Sequence, residues 1–326
     1  MRIYGNAGTV ALTAGMIKKG REPHSVMIHG EKGLGKKAMA SFIAAQLMCE
    51  EGEGMPCGRC KSCRMIENGT HPDLYFAKPN DKGNYLVEEI REKIVADAPV
   101  LPNEGRIKVY VIPDLDRSTI TSVQIQNILL KLIEEPPDHA AVIITAASKE
   151  SFLPTIISRV LCLGAVHVTE QESAEFMQEK YPDKTAAEIG DAVRAGRGNI
   201  GRCREYIEKG QFYYAAELAA KTAEAFAGGS EYETAMALAG AEGKRGLLRD
   251  GIYLLSEIVR DASVLPIGAG ELTGCSGSAA RKLGAKYTAE ECARIYDIIR
   301  EHVRRIDQNC NAGLTVNSLT AALFRG

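Results

Sequence analysis

The clearest pattern in the chain is an alternation between short apolar runs and longer stretches whose apolar residues recur at helical spacing. The short runs are uninterrupted, as expected for strands that are buried on both faces of a sheet. They cover residues 25–29, 108–112 and 141–145. Helical spacing is found over residues 9–19, 38–47, 86–95 and 122–133. This alternation predicts an α/β fold with a mostly parallel sheet.

The second half of the chain lacks this alternation. After about Gly164 the strand pattern fades, and residues 169–207 have the spacing of short helices. Residues 211–326 are rich in alanine and leucine and almost wholly helical in pattern, with breaks at Gly228-Gly229 and from Pro266 to Gly270. An all-helical C-terminal region is therefore predicted to follow the α/β part.

A glycine-rich stretch joins the first predicted strand to the next predicted helix. It contains Gly30, Gly33 and Gly35, followed by Lys36 and Lys37. Strand, glycine-rich turn and helix form the context of a phosphate-binding loop, in which backbone N–H groups and the helix N-terminus hold an anion. The pattern requires Ser or Thr after the first lysine, because that hydroxyl binds magnesium. We therefore expect a phosphate loop that lacks one magnesium ligand.

The end of the second predicted strand bears on the same magnesium site. An active P-loop ATPase carries an aspartate there, usually followed by a glutamate that aligns the attacking water. Pro113 stands where the aspartate is expected, and strand alternation would turn Asp114 the wrong way. Asp116 is interpreted as the N-cap of a helix over residues 118–133. With two magnesium ligands missing, we expect no ATP hydrolysis by this chain.

Four cysteines lie close together in the sequence: Cys49, Cys57, Cys60 and Cys63. Four thiolates, three of them at Cys-x-x-Cys spacing, can complete a tetrahedron around Zn²⁺, with Gly58 easing the turn. Because no position is left for water, such a site would be structural. The alternatives are an iron–sulfur cluster, a redox pair or free surface thiols.

Composition narrows the remaining classes of function. The net charge is −2 over 326 residues, so any nucleic-acid contact would need a local basic face. Nine cysteines, in a chain whose first residues make a poor signal peptide, favour thiols or metal over disulfides. No apolar stretch of about 20 residues occurs. We therefore expect no membrane contact and a cytoplasmic location.

A short segment, residues 153–160, follows the third predicted strand and contains Arg159. An arginine in a short segment between two subdomains can act as a finger that reaches the γ-phosphate bound by a neighbouring subunit. The alternative interpretation is a structural surface arginine.

Taken together, these blocks resemble the bacterial sliding-clamp loaders of DNA polymerase III, an AAA+ family. The matching blocks are the phosphate loop, the cysteine cluster followed by residues 70–74, the Leu-x-x-x-Glu-Glu-Pro-Pro block within 127–137, residues 153–159 and residues 307–314. They cover almost the whole chain in the right order. Motor subunits of that family keep Gly-Lys-Thr and Asp-Glu, and this chain keeps neither. It therefore resembles the delta-prime class, the non-hydrolysing stator.

The resemblance implies three domains. These are an AAA+ core over residues 1–164 with an inserted zinc module at 49–63, a small helical lid over 165–208, and a helical collar over 209–326.

The resemblance also implies roles for single residues. Arg159, with Ser158 in the family's Ser-Arg-Cys motif, would complete the ATP site of an adjacent motor subunit, and Val160 replaces the cysteine. Residues 198–202 match the lid motif, with Gly201 where a motor carries a sensing arginine.

The implied partners are the other clamp-loader subunits, both motor and delta-type, and through the assembled loader the sliding clamp and primer–template DNA. The implied cofactor is structural Zn²⁺, whereas ATP and Mg²⁺ are not expected to be used by this chain. Two other hypotheses stay open. One is an active motor in which Asp114 or Asp116 replaces the missing ligand. The other is a zinc-dependent nucleic-acid-binding module, which the acidic residues and the lack of aromatics in the cysteine segment disfavour.

Overall fold

The computed structural model describes residues 2–81, 83–117, 122–241, 243–267, 272 and 274–325. The chain divides into two compact units, Met1–Val168 and Thr169–Gly326. In the described residues, no helix has the length and apolar character needed to cross a membrane.

The first unit is built on a five-stranded sheet in which every neighbouring pair is parallel. Its strands are β1 (Ser25–His29), β2 (Leu74–Phe76), β3 (Lys108–Ile112), β4 (Ala140–Ala146) and β5 (Leu161–Gly164). The order across the sheet is β2-β3-β4-β1-β5. The predicted parallel α/β fold is confirmed, and β1 and β3 have the predicted bounds. The edge strands β2 and β5 were not predicted.

Six α-helices accompany this sheet in the described part of the first unit. They are α1 (Ala7–Lys18), α2 (Lys36–Met48), α3 (Lys61–Glu67), α4 (Val87–Ile90), α5 (Ser122–Glu134) and α6 (Pro154–Ile157). Helix α4 continues as a π-helix over Arg91–Val95, and 3₁₀ turns occupy Leu115–Arg117 and Lys149–Ser151. Helix α3 lies inside the cysteine-rich stretch.

Both faces of the sheet are covered, which explains why its central strands are continuous apolar runs. On β3, Val109 and Val111 pack in the same cluster as Ile43 of α2. Tyr110 and Ile112 face the other way and belong to the cluster that contains residues of α5. All four strand residues are at most 1% exposed. The core therefore has one layer on each side of the sheet, as the period-2 geometry of a strand dictates.

In the described residues of the second unit, all regular structure is helical. Its helices are α7 (Glu170–Lys180), α8 (Ala186–Gly196), α9 (Ile200–Ile207), α10 (Gln211–Gly228), α11 (Glu231–Ala239), α12 (Arg245–Val264), α13 (Gly277–Lys286), α14 (Ala289–Asp307) and α15 (Ala312–Arg325). Helices α7, α8 and α14 each begin with a Thr/Glu capping box, which satisfies two backbone donors at the helix start. Gly229, with φ +82°, ends α10 at a predicted break.

Two apolar clusters fill this unit. The smaller one joins α7, α8 and α9 through Met177, Ile189, Val193 and Cys203. The larger one draws residues from α10 to α15. The helical C-terminal region is confirmed, whereas its division into a lid over 165–208 and a collar over 209–326 stays a prediction. The second predicted break extends into residues 268–270, which lie outside the described residues.

Candidate functional site

The predicted phosphate loop lies between β1 and α2, at the carboxyl end of an interior strand. Gly30, Gly33 and Gly35 have φ angles of +148°, +95° and +77°. Side chains with a Cβ rarely adopt such angles. A Cβ on Gly30 would also lie 3.0 Å from the carbonyl oxygen of Ala165. The path of the loop backbone therefore requires the glycines that the sequence provides.

The loop folds around Lys36. This side chain is only 7% exposed, and its Nζ donates to the carbonyl oxygens of Gly30 at 2.6 Å and Glu31 at 2.9 Å. A buried ammonium needs such acceptors because it has lost its water. Lys36 therefore supports the loop that holds it, in addition to placing a positive charge at the site.

Lys37 occupies the position of the magnesium-binding hydroxyl, and its Nζ lies 3.8 Å from Oδ2 of Asp114. The expectation that Asp114 turns away from this site is therefore wrong. Asp114 lies beyond the end of β3 and has a φ of +48°, so strand alternation no longer sets its direction. Its N–H donates to Oγ1 of Thr145 at 2.8 Å. The site thus pairs an ammonium with a carboxylate where an active ATPase holds magnesium.

Asp116 belongs to the 3₁₀ turn after β3. Its Oδ2 accepts from the N–H groups of Ala147 at 2.7 Å and Ser148 at 3.3 Å, directly after β4. The carboxylate therefore ties together the segments that follow two neighbouring strands. Its predicted role as an N-cap concerns residues 118–121, which lie outside the described residues.

Arg159 follows α6 and is 42% exposed. Its Nε lies 3.0 Å from Oε1 of Glu134, at the end of α5. Its Nη1 donates to the carbonyl oxygen of Thr155 and to Oγ of Ser158, both at 3.1 Å. Within the described residues, none of its polar contacts is with the loop over 30–37. In the part of the chain that the structure describes, Arg159 therefore contacts Ser158 and makes no polar contact with the phosphate loop.

The lid motif lies at the start of α9. Asn199 is fully buried and caps this helix, because its Oδ1 accepts from the N–H of Arg202 at 3.1 Å. The Arg202 guanidinium lies 5.7 Å from the ring centroid of Phe212, at the start of α10. Gly201, at the place of a sensing arginine, has no side chain. Arg202, the next residue, contacts Phe212 within the same helical unit.

The four predicted cysteines converge. Their Sγ atoms all lie within 4.8 Å of one another, and all four are free thiols. Cys49 directly follows α2 and Cys60 directly precedes α3, so two helix ends fix half of the set. Gly58, with φ +70°, makes the turn between Cys57 and Cys60. Sulfurs around a tetrahedral zinc would be about 3.8 Å apart, so this cluster has the dimensions of a metal site.

Backbone dipoles and burial act on these thiols in opposite directions. The Gly52 N–H donates to Cys49 Sγ at 3.1 Å. The backbone amides of Arg59 and Cys60 lower the pKa of Cys57 to about 7. Burial raises the pKa of Cys63 to about 12. A cation among the sulfurs would favour the thiolate form of all four, and four sulfur donors suit a soft or borderline metal ion.

The loop that carries Cys57 is fastened by residues that the sequence pattern did not single out. A Cβ on Gly52 would lie 1.8 Å from the carbonyl oxygen of Met55, so only glycine fits there. Gln46 is fully buried on α2, where it donates to the Gly54 carbonyl at 3.0 Å and accepts from the Thr13 hydroxyl at 2.7 Å. In the sequence, the signal that could have revealed this role is a polar residue, Gln46, at a core position of α2, followed by a loop that is rich in glycine.

Asp73 is a second residue whose role the sequence did not reveal. It is 3% exposed, and its carboxylate accepts from the N–H groups of Asn103, Glu104 and Gly105 at 2.7–2.9 Å. Burial alone would raise the pKa of Asp73, but these amides outweigh it and lower that pKa. Its own N–H donates to Nδ1 of His71 at 3.1 Å. This part of the block over 70–74 thus anchors the loop that leads into β3.

Residues 5–166 match the protein family described as DNA polymerase III, delta subunit. The chain is 27% identical over 183 residues to the DNA polymerase III subunit delta' of Pseudomonas aeruginosa, covering 56% of this chain and 55% of that protein. It is 32% identical over 143 residues to the subunit delta' of Bacillus subtilis, covering 44% of this chain and 42% of that protein.

The subunit tau of Escherichia coli is 32% identical over 160 residues, which are 49% of this chain and 24% of that protein. Each match therefore spans about half of this chain and about half, or less, of the relative. The phosphate loop, the cysteine cluster and Arg159 all lie inside the family match over residues 5–166. Through residues 5–166, the chain belongs to the clamp-loader family of DNA polymerase III subunits.

Proposed function

We propose that this chain is a non-hydrolysing, delta-prime-type stator of a DNA polymerase III clamp loader. It supplies Arg159 to the ATP site of a neighbouring motor subunit and helps to organise the complex that loads the sliding clamp onto primer–template DNA. Its direct partners are the other loader subunits, both motor and delta-type. A cytoplasmic location and a core, lid and collar over residues 1–164, 165–208 and 209–326 belong to the same proposal.

The observation that carries this proposal is the ion pair between Lys37 and Asp114. Two positive charges about 4 Å apart repel by several kcal/mol at intermediate dielectric, so the Lys37 ammonium opposes Mg²⁺ at this position. Pro113 stands at the place of the magnesium aspartate, and Asp114, at the place of the water-aligning glutamate, is paired with Lys37. The hydroxyl, the magnesium aspartate and an unpaired carboxylate at the glutamate position are therefore all missing from the arrangement that hydrolysis needs.

A motor subunit is the second candidate, and one observation favours it. The Asp114 carboxylate reaches the mouth of the phosphate loop, so a single change at Lys37 would leave it available for a metal. The relatives include both delta' and tau subunits, and their names do not discriminate between the two roles. Pro113 and Gly201 count against the motor, because neither can supply the polar group that its position has in a motor.

We also propose that the cysteine cluster holds one Zn²⁺, with Cys49, Cys57, Cys60 and Cys63 as ligands. All four coordination positions would be filled by sulfur, so the ion would cross-link the loop and would carry out no chemistry of its own. The burial of three of the four cysteines and the amide contacts to their sulfurs support a closed structural site.

The proposal is tested by replacing Arg159 in the loader assembled with the subunits that co-purify with this chain. A finger stabilises charge on the transferred phosphoryl group and is worth about 10³–10⁵ in rate at one site. Because a loader has several ATP sites and Arg159 would serve one, Arg159→Ala should lower total clamp-stimulated hydrolysis by less than that. Arg159→Lys should rescue poorly, since an ammonium lacks the planar fork of a guanidinium.

Hydrolysis is measured per intact complex, with zinc content and subunit stoichiometry as controls. The stator role predicts normal assembly, slower hydrolysis and slower clamp loading for both variants. A normal rate per intact complex, with assembly reduced, would assign Arg159 a structural role instead.

A further inference from the structure

Glu134 occupies an unfavourable position for a carboxylate. It is the last residue of α5, where the helix dipole disfavours negative charge. Within the part of the chain that the structure describes, Arg159 is the one cation in ion-pair contact with it, with Nε and Oε1 3.0 Å apart. Both side chains are just over 40% exposed. Glu134, which contacts the candidate finger Arg159, thus violates the charge preference at a helix C-terminus. Violations of this kind are expected at functional sites.

The contacts of Arg159 use only part of its guanidinium. Nε faces Glu134, and Nη1 donates to Thr155 and Ser158. Among the described residues, Nη2 donates no hydrogen bond. Glu134 and the α6 segment therefore hold the Nε and Nη1 sides of the guanidinium, and Nη2 keeps hydrogen-bonding capacity for another acceptor. Because the guanidinium is planar, fixing two nitrogens also fixes the direction in which the third one faces.

We propose that Glu134 is a positioning residue for Arg159, which orients the guanidinium so that Nη2 is presented to a phosphoryl oxygen bound by the neighbouring subunit. This inference rests on the proposed function of Arg159. Glu134 itself touches neither nucleotide nor phosphate. Its carboxylate removes rotamers in which Nη2 would turn back onto the chain, so the finger is oriented before the neighbour binds ATP.

The neighbouring Glu135 provides a matched control. It is exposed, carries the same charge and follows Glu134 directly, and no described cation forms an ion pair with it. Four variants are compared in the assembled loader: Glu134→Ala, Glu134→Gln, Glu135→Ala and Arg159→Ala. A fifth carries both Glu134→Ala and Arg159→Ala. For each, kcat and KM for ATP are measured per intact complex with clamp and primed DNA present.

A positioning role predicts that Glu134→Ala lowers kcat by about two- to fivefold, the range expected for one exposed ion pair. KM for ATP should not change, because the finger acts on the transition state. Glu134→Gln should keep part of the rate, since its amide oxygen can still lie against Nε. Glu135→Ala should behave as wild type, and the double variant should be no slower than Arg159→Ala alone.

Three results would overturn the inference. An unchanged or faster rate for Glu134→Ala, with a slow Arg159→Ala, would remove Glu134 and leave the proposed function intact. Equal losses for Glu134→Ala and Glu135→Ala would show a general charge effect. A normal rate for Arg159→Ala would contradict the proposed function itself, and the role of Glu134 with it.

Discussion

The two ends of helix α2 carry two different kinds of site. At its start, Lys36 and Lys37 close the phosphate loop, and at its end Cys49 joins the cysteine cluster. The loop has its glycines at positive φ, and Lys37 and Asp114 pair with each other where an active ATPase holds magnesium. The cluster keeps a full set of four donors within 4.8 Å. One helix thus connects a loop in which an ion pair stands at the magnesium position to a cluster of four potential metal donors.

This difference separates the backbone path of a loop from the chemistry that its side chains can perform. The phosphate loop still organises the carboxyl end of β1, because Lys36 is bound by carbonyls of that loop. It therefore has a structural reason to persist without catalysis. The four thiols would gain a structural role from a bound cation, which would favour the thiolate form that burial disfavours at Cys63. The comparison predicts that changes at the two ends of α2 have different consequences.

The largest effect is expected at the cysteine end. Cys60→Ser should reduce bound zinc from one per chain to almost none, because structural zinc sites with apparent binding energies of about 10–16 kcal/mol depend on a complete ligand set. Residues 49–63 should lose protection from hydrogen exchange, while the strands of the sheet keep theirs. Metal analysis and exchange mass spectrometry measure this. Cys310→Ser, at an exposed free thiol, is the control, and equal zinc loss in the control would contradict the assignment.

A smaller effect is expected at Asp73, which anchors the loop into β3. Asp73→Asn should lower the free energy of unfolding by about 1.5–3 kcal/mol at neutral pH, since three buried N–H groups lose a charged acceptor. The folded pKa of Asp73 lies below its ordinary value of 3.8. The stabilisation is therefore complete above about pH 4 and is lost as the pH falls through the folded pKa. Denaturant unfolding from pH 7 to pH 2.5 should show the variant and wild type converging, and a constant difference would contradict this.

The smallest effect on stability is expected at Lys37. Lys37→Thr removes an ion pair whose members are 63% and 28% exposed, so the free energy of unfolding should change by less than about 1 kcal/mol. The same change restores a hydroxyl beside Asp114 and should increase the affinity for Mg²⁺ with ATP. Calorimetric titration with and without EDTA measures this. If EDTA left the affinity for ATP unchanged in the Lys37→Thr variant, as in the wild type, this would show that Lys37 does not oppose the metal.

The central strands were predictable because a strand that is buried on both faces of a sheet is a continuous apolar run in the sequence. The edge strands β2 and β5 were not, since they have three and four residues and are only partly buried. Pairing with a neighbour, and not their own pattern, makes them strands. Residues 86–95 were predicted as one helix, but its second half is a π-helix, a distinction that side-chain spacing does not encode.

The candidate site divides in the same way. The glycines of the loop and the four cysteines follow from spacing, because their chemistry fixes residue type at each position. The direction of Asp114 does not follow from spacing, because a φ of +48° beyond the strand end turns it towards Lys37. The ion pair between Glu134 and Arg159 joins residues that are 25 positions apart in the sequence, so it can be seen only in the folded structure.

The most direct test of the account is steady-state ATP hydrolysis by the isolated chain, compared with its Lys36→Ala variant. Lys37 and Asp114 neutralise each other where magnesium would bind, so the account predicts no turnover that depends on Lys36. Any residual rate should be the same in both preparations and should disappear with further purification. Sustained, magnesium-dependent turnover that is abolished by Lys36→Ala would show that the chain is a motor and would contradict the stator role.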